Sequence, residues 1–317
     1  MTEQRDLAAE TERATNEGRA ILAVGCAVVL WGGSAVAIKA VSVTGLVTAF
    51  YRLWFAIPLL WLIPLLQPSV RERLTSRWLG ACLVGGTLFF LHQALFFTSL
   101  KLTTVANVTL IGALQPAVVL LAAGPLFNER PTLASVLWAA VAFGGTVLIV
   151  LGARASAAWS LYGDALAFAN LFAFCGYFLA SKYFRRDVPA LEYVIGMTTV
   201  AGVWMLAAAV ATGQDLAAPH GWEWLMLFAI AALPGTLGHF LTNWAHAHAT
   251  ALSISMILLA APVIATLGAT LVLGEHLYAM QLLGGLIVLT AIGIVVRSTT
   301  PATAEELAES AAETDAP

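Results

Sequence analysis

One arginine, two histidines and five carboxamides stand inside long apolar runs of this chain: Arg52, His92, Gln93, Asn107, Gln115, Asn170, His239 and Asn243. Lys39, Asp164, Lys182 and His246 lie near the ends of such runs. A strongly polar side chain in an apolar helix is costly to bury in lipid, so its default reading is functional. Amides and imidazoles can hydrogen-bond a solute, and an imidazole also titrates near neutral pH. The missing residue types matter as much. The eight acids outside the two tails all sit in loops or at the ends of apolar runs. A carboxylate proton relay therefore has no residue, and any protonation chemistry falls to His92 and His239; an uncoupled or gradient-driven process needs neither.

The spacing groups these residues into stripes. His239, Asn243 and His246 follow i, i+4, i+7 and share one helical face, just after a Pro234-Gly235 step that loosens a helix where a ligand approaches. Asn170, Phe174 and Tyr177 repeat the spacing, with Trp31 on the corresponding first run. Asn107, Ile111 and Gln115 form a third stripe leading to Pro116. Each stripe reads either as the lining of a cavity or as bonding between helices, at about 1 kcal/mol per bond. The cavity set is Trp31, His92, Asn107, Gln115, Asn170, Tyr177, His239 and Asn243. His246 and His248 are i, i+2 and point apart, which argues against a metal pair. Cys26, Cys82 and Cys175 fall in apolar stretches and read as buried thiols. Nothing in the pattern points to a catalytic residue, metal, cofactor or nucleic acid.

Positioning these groups requires membrane helices. The 317 residues are 60% hydrophobic and 10% charged, with a mean hydropathy of +0.86, too few charges to cover a water-facing surface. A span needs roughly 20 apolar residues, and ten runs qualify: about 20–40, 46–66, 79–99, 105–125, 132–152, 162–182, 190–211, 226–246, 250–273 and 277–296. The expected fold is all-α, with ten transmembrane helices. With the N-terminus inside, eleven Lys and Arg fall on inner segments against three at outer positions, so both termini are expected to be cytoplasmic. Residues 1–18 and 298–317 hold ten of the 18 acids and read as disordered tails. The first run is too long for a cleaved signal and reads as a span.

The chain also repeats itself. Leu114-Gln115-Pro116 precedes Glu129, and Ala260-Ala261-Pro262 precedes Glu275, with an offset of 146 at both ends. Gly33 and Lys39 recur as Gly176 and Lys182, and Gly86-Thr87-Leu88 recurs as Gly235-Thr236-Leu237. Five spans per half is an odd number, so the second half, about 161–297, is expected upside down relative to the first, about 19–153. Inverted repeats are characteristic of secondary transporters, whose site lies near the midplane. Gly144-Gly145 and Gly284-Gly285 suit close helix packing, within the chain or between protomers of a homodimer.

These residues resemble the EamA-type branch of the drug/metabolite transporter superfamily. The resemblance rests on Trp31-Gly32, Lys39 and Arg52 in the first repeat, and on Pro116…Glu129 and Pro262…Gly274-Glu275 in the fourth and ninth spans. It covers about 19–297. The second half departs from it, with Phe174-Cys175 in place of Trp31-Gly32 and Met197 near where an arginine would recur. The resemblance implies a multi-pass carrier of the cell (inner) membrane whose partners are a small solute and the bilayer. It implies a structural or gating role for Arg52, Pro116, Pro262, Glu129 and Glu275, while Lys39 and Lys182 read as anchors of their helix ends. The expected function is export of amino acids or similar small amphipathic metabolites by alternating access. The alternative is an exchanger of anionic metabolites or sugar phosphates, for which Lys39, Arg52 and Lys182 would have to supply the charge. An intramembrane enzyme lacks a nucleophile or carboxylate at a recognisable spacing.

Overall fold

The computed structural model describes residues 2–127, 132–249, 254 and 257–299. Every regular element among them is helical. In chain order these are α1 (Thr2–Ala40), α2 (Gly45–Leu66), α3 (Pro68–Arg73), a 3-10 turn (Ser76–Trp78), α4 (Leu79–Leu102), α5 (Val105–Gly112), α6 (Gln115–Phe127), α7 (Leu133–Ala153), α8 (Leu161–Phe184), α9 (Ala190–Ala211), α10 (Glu223–Ile230), a π-turn (Ala231–Gly238), α11 (His239–Ala245), α12 (Ala260–Leu273) and α13 (Ala279–Thr299). Among the described residues eight helical stretches are long and apolar enough to cross a membrane; Ala260–Leu273 and Ala279–Ile294 are apolar but shorter. Where the sequence suggests a disordered N-terminal tail, α1 runs back to Thr2, through a segment rich in the strong helix formers Ala, Glu and Arg. The C-terminal tail from 300 onward and Glu129 lie outside the described residues.

The helix starts follow from local chemistry. Thr44 Oγ1 accepts the Val47 N–H at 3.3 Å, Thr104 Oγ1 the Asn107 N–H at 3.2 Å, and Ser160 Oγ the Gly163 N–H at 3.2 Å; each satisfies a donor left over at a helix N-terminus. The α12 helix ends at Gly274 with φ +66°, a left-handed conformation that closes helices and suits glycine. The break between α5 and α6 falls just before Pro116, whose ring nitrogen cannot donate to the preceding turn. Pro234 sits within the π-turn and Pro262 in the first turn of α12. Each of these interruptions faces the molecule's interior cavity, where broken helices are tolerated at membrane depth.

Packing then sets the frame. α4 lies against α8 and α9, α2 against α9, and α1 against α12 and α11. Phe89, Tyr177 and Tyr193 are fully enclosed between them. Among the described residues the most extensive seam joins α7 and α13. A Cβ on Gly145 would stand 2.9 Å from the Gly284 carbonyl oxygen, and one on Gly284 would stand 2.5 Å from the Gly145 oxygen. Of the two packing roles open to these glycines, Gly145 and Gly284 fill the one within the chain.

Candidate solute cavity

The cavity is assembled at the helix interruptions and holds ≈ 940 Å³ of space, part of it open. From α1 come Trp31 and Ser34, from α2 Arg52, from α4 His92, Gln93 and Phe96, and from α8 Asn170 and Phe174. Gln115, Pro116, Pro234, Gly235, His239 and Pro262 stand in the wall beside Thr109 and further apolar residues, Phe97 among them. Among the described residues no Asp or Glu lines it, and Arg52 is its charged side chain.

Two hydrogen-bonded layers hold the polar wall in place. His92 Nδ1 meets Asn170 Oδ1 at 2.7 Å, which ties α4 to α8. His239 Nδ1 lies 3.3 Å from the Tyr177 hydroxyl, and Asn243 Nδ2 donates to that hydroxyl and to the His239 carbonyl, both at 2.9 Å. The Trp31 indole N–H donates to the Pro234 carbonyl at 3.0 Å, and Arg52 Nη2 donates to the Gly235 carbonyl at 3.1 Å. The widened π-turn therefore offers its backbone to side chains from α1 and α2. Rings close the space between: Trp31 and His239 centroids are 4.7 Å apart, as are Phe89 and His239 and also His92 and Phe174. The Arg52 guanidinium carbon sits 4.9 Å from the Phe89 centroid, a favourable cation–π arrangement.

Of the residues singled out in the sequence, the cavity brings together Trp31, His92, Gln115, Asn170, His239, Arg52, Pro116 and Pro262. Three of the expected lining residues stand elsewhere. Tyr177 and Asn243 form the layer behind His239. Asn107 is fully enclosed near the end of α4, where its Nδ2 donates to both carboxylate oxygens of Asp164 at 3.0 Å and its Oδ1 accepts from Gln281 at 3.0 Å. Thr103 Oγ1 and Trp159 Nε1 also donate to Asp164, both at 2.8 Å. The network links the end of α4 with α5, α8 and α13. Phe96 belongs to the wall without standing out in the sequence, and Gln93, one of the amides in the apolar runs, belongs to it although the stripes do not place it in the expected cavity set.

The helix-end residues act as ties. Lys39 Nζ donates to the Thr103 carbonyl, and Lys182 Nζ donates to the His246 and Ala249 carbonyls at 2.7 Å. Neither lysine lines the cavity. The Glu275 carboxylate accepts the Val105 N–H at 2.9 and 3.2 Å, so the end of α12 caps the start of α5. A negative group at a helix N-terminus is favourable both as an acceptor and against the helix dipole. We expect Glu275→Ala to lower stability by about 1 kcal/mol, with Glu275→Gln intermediate because its amide oxygen still accepts. Thermal unfolding of the purified protein checks both.

The fold and this cavity together define a multi-pass helical membrane protein with a largely apolar chamber, set with a few polar groups, among interrupted helices. The EamA-like transporter family model matches residues 18–151 and, a second time, residues 161–297. The chain belongs to that family, and so to the drug/metabolite transporter superfamily. A protein crystal structure matches it with a TM-score of 0.68 at 21% identity, covering 90% of this chain and 100% of its own; the likeness is one of fold. Curated protein sequences give no match.

Proposed function

We propose that the chain exports amino acids or similarly small amphipathic metabolites by alternating access. The observation that carries this reading is the cavity itself. Its wall combines aromatic faces, amides and imidazoles drawn from both family-matched segments, and it lies where α5–α6, the π-turn and α12 interrupt the regular helix. The proposed arrangement is ten spans in two inverted halves, with both termini on the cytoplasmic side of the cell membrane. The two lysine ties support it. Lys39 reaches the carbonyl of Thr103, and Lys182 reaches that of Ala249, 146 residues further on; the same offset relates Pro116 to Pro262.

The sugar-phosphate alternative asks for three cations at the solute. Lys39 and Lys182 are engaged by backbone carbonyls away from the cavity, which leaves Arg52. A single cation suits a singly charged group better than a phosphate dianion. The test is efflux from proteoliposomes loaded with labelled amino acids, a nucleobase or a sugar phosphate, with and without a pH gradient. Saturable amino-acid flux is the expected result, and His239→Ala should raise KM about tenfold or more by removing a polar wall group. Flux of the sugar phosphate alone would overturn the reading.

A further inference from the structure

The proposed export activity says nothing of how a solute is held, and on this the cavity is informative. Arg52 is 2% exposed and faces no carboxylate in the wall. Its Nη2 has the Gly235 carbonyl, and its ring contact is Phe89, but its Nη1 has no hydrogen-bond partner among the described residues. Gln93 and Gln115 line the same chamber, and each keeps a buried amide atom without a partner. Buried polar groups are ordinarily satisfied, so three such atoms in one wall need an explanation. A buried guanidinium with one arm unengaged and no internal counter-ion is the most costly of them. A structural arginine of this kind normally has a carboxylate beside it; here the position is open.

We propose that Arg52 is the anchor for a carboxylate on the transported solute, with the Gln93 and Gln115 amides as neighbouring polar contacts. This rests on the export reading above and narrows it to solutes bearing one carboxylate. The geometry of guanidinium and carboxylate is complementary, and the pair is among the strongest hydrogen-bonded contacts when water is excluded. An amide group offers donor and acceptor at once, so Gln93 or Gln115 can meet either the second carboxylate oxygen or an adjacent ammonium N–H. The absence of an acid from the described wall gives the complementary half of the selectivity. A solute with an amine but no carboxylate would add a second cation beside Arg52, with nothing to balance it. A zwitterion, or a monocarboxylate without an amine, fits; an organic cation is rejected.

The discriminating experiment varies the ligand on the unaltered full-length protein, so it does not depend on a variant folding. L-Leucine, L-phenylalanine and L-threonine are compared with their carboxamides and with 4-methylpentanoate, by thermal stabilisation of the purified protein and by competition against efflux from proteoliposomes. At least one acid should bind, with its amide weaker by about tenfold or more, and 4-methylpentanoate should compete. Arg52→Gln should abolish the acid-over-amide preference, and Arg52→Lys should keep part of it. Equal binding of acid and amide, or an undiminished preference in a folded Arg52→Gln protein, overturns the anchor while leaving export intact. Failure of every acid to bind or be carried overturns both.

Discussion

Gly284→Ala is expected to lower the thermal stability of the purified protein by about 1–3 kcal/mol, the range for overpacking a close-packed contact. The added methyl would stand 2.5 Å from the Gly145 carbonyl oxygen and 2.9 Å from both Ile149 Cγ1 and the Ile149 nitrogen. Two of those three atoms are backbone, so no rotamer change relieves them and α7 and α13 have to separate. Gly144→Ala provides the contrast. It adds the same methyl one residue from the seam, where nothing lies within 4 Å. Its expected effect is neutral or stabilising by up to about 1 kcal/mol, the difference in helix propensity between Gly and Ala. Melting curves followed by size-exclusion chromatography after heating distinguish the two. Equal behaviour of the two variants would mean that the seam is not close-packed.

Asp164→Leu carries the largest expected loss. Its carboxylate accepts from Thr103, Asn107 and Trp159, and Thr103 and Asn107 are buried. Each buried donor left without an acceptor costs about 1–3 kcal/mol, so the enclosed pair alone gives about 4 kcal/mol. Trp159 is partly exposed and can turn to water. Asn107→Ala removes one member and should be milder, yet it also strands the Gln281 amide. Both substitutions are expected to leave KM for the solute unchanged in the protein that remains folded, since the network lies off the cavity. A raised KM in Asn107→Ala would return that residue to the solute site.

Asn107 also marks where sequence reading reaches its end. The stripe of Asn107, Ile111 and Gln115 assumes one unbroken helix. The chain breaks ahead of Pro116, so the two polar residues part company: Gln115 turns to the cavity and Asn107 into the Asp164 network. His239 and Asn243 share a face as their spacing implies, but the tight packing of α8 places Tyr177 between them, and Asn243 serves His239 rather than the cavity. The apolar runs themselves are plain in the sequence, because some 20 residues of hydropathy make a strong signal. The glycine pairs are plain as small residues, but which helix meets them is not. Arg52 is conspicuous as a charge in a span, yet its address depends on a carbonyl 183 residues away. That carbonyl is presented by a π-turn, which Pro234-Gly235 hints at without specifying. Local signals set the helices and their interruptions; the meeting of distant interruptions makes the site.

The indole at position 31 gives the protein an optical reporter of its own. The chain has ten tryptophans, and Trp31 is the one in the cavity wall. Trp54, Trp61 and Trp204 stand on the outer surface with their N–H groups bonded to Gly202, Thr199 and Thr87, so they sample lipid or detergent. Filling the chamber changes the surroundings of a single emitter. Subtracting the emission of a Trp31→Phe protein from that of the unaltered chain therefore isolates a spectrum that follows occupancy, with no label attached.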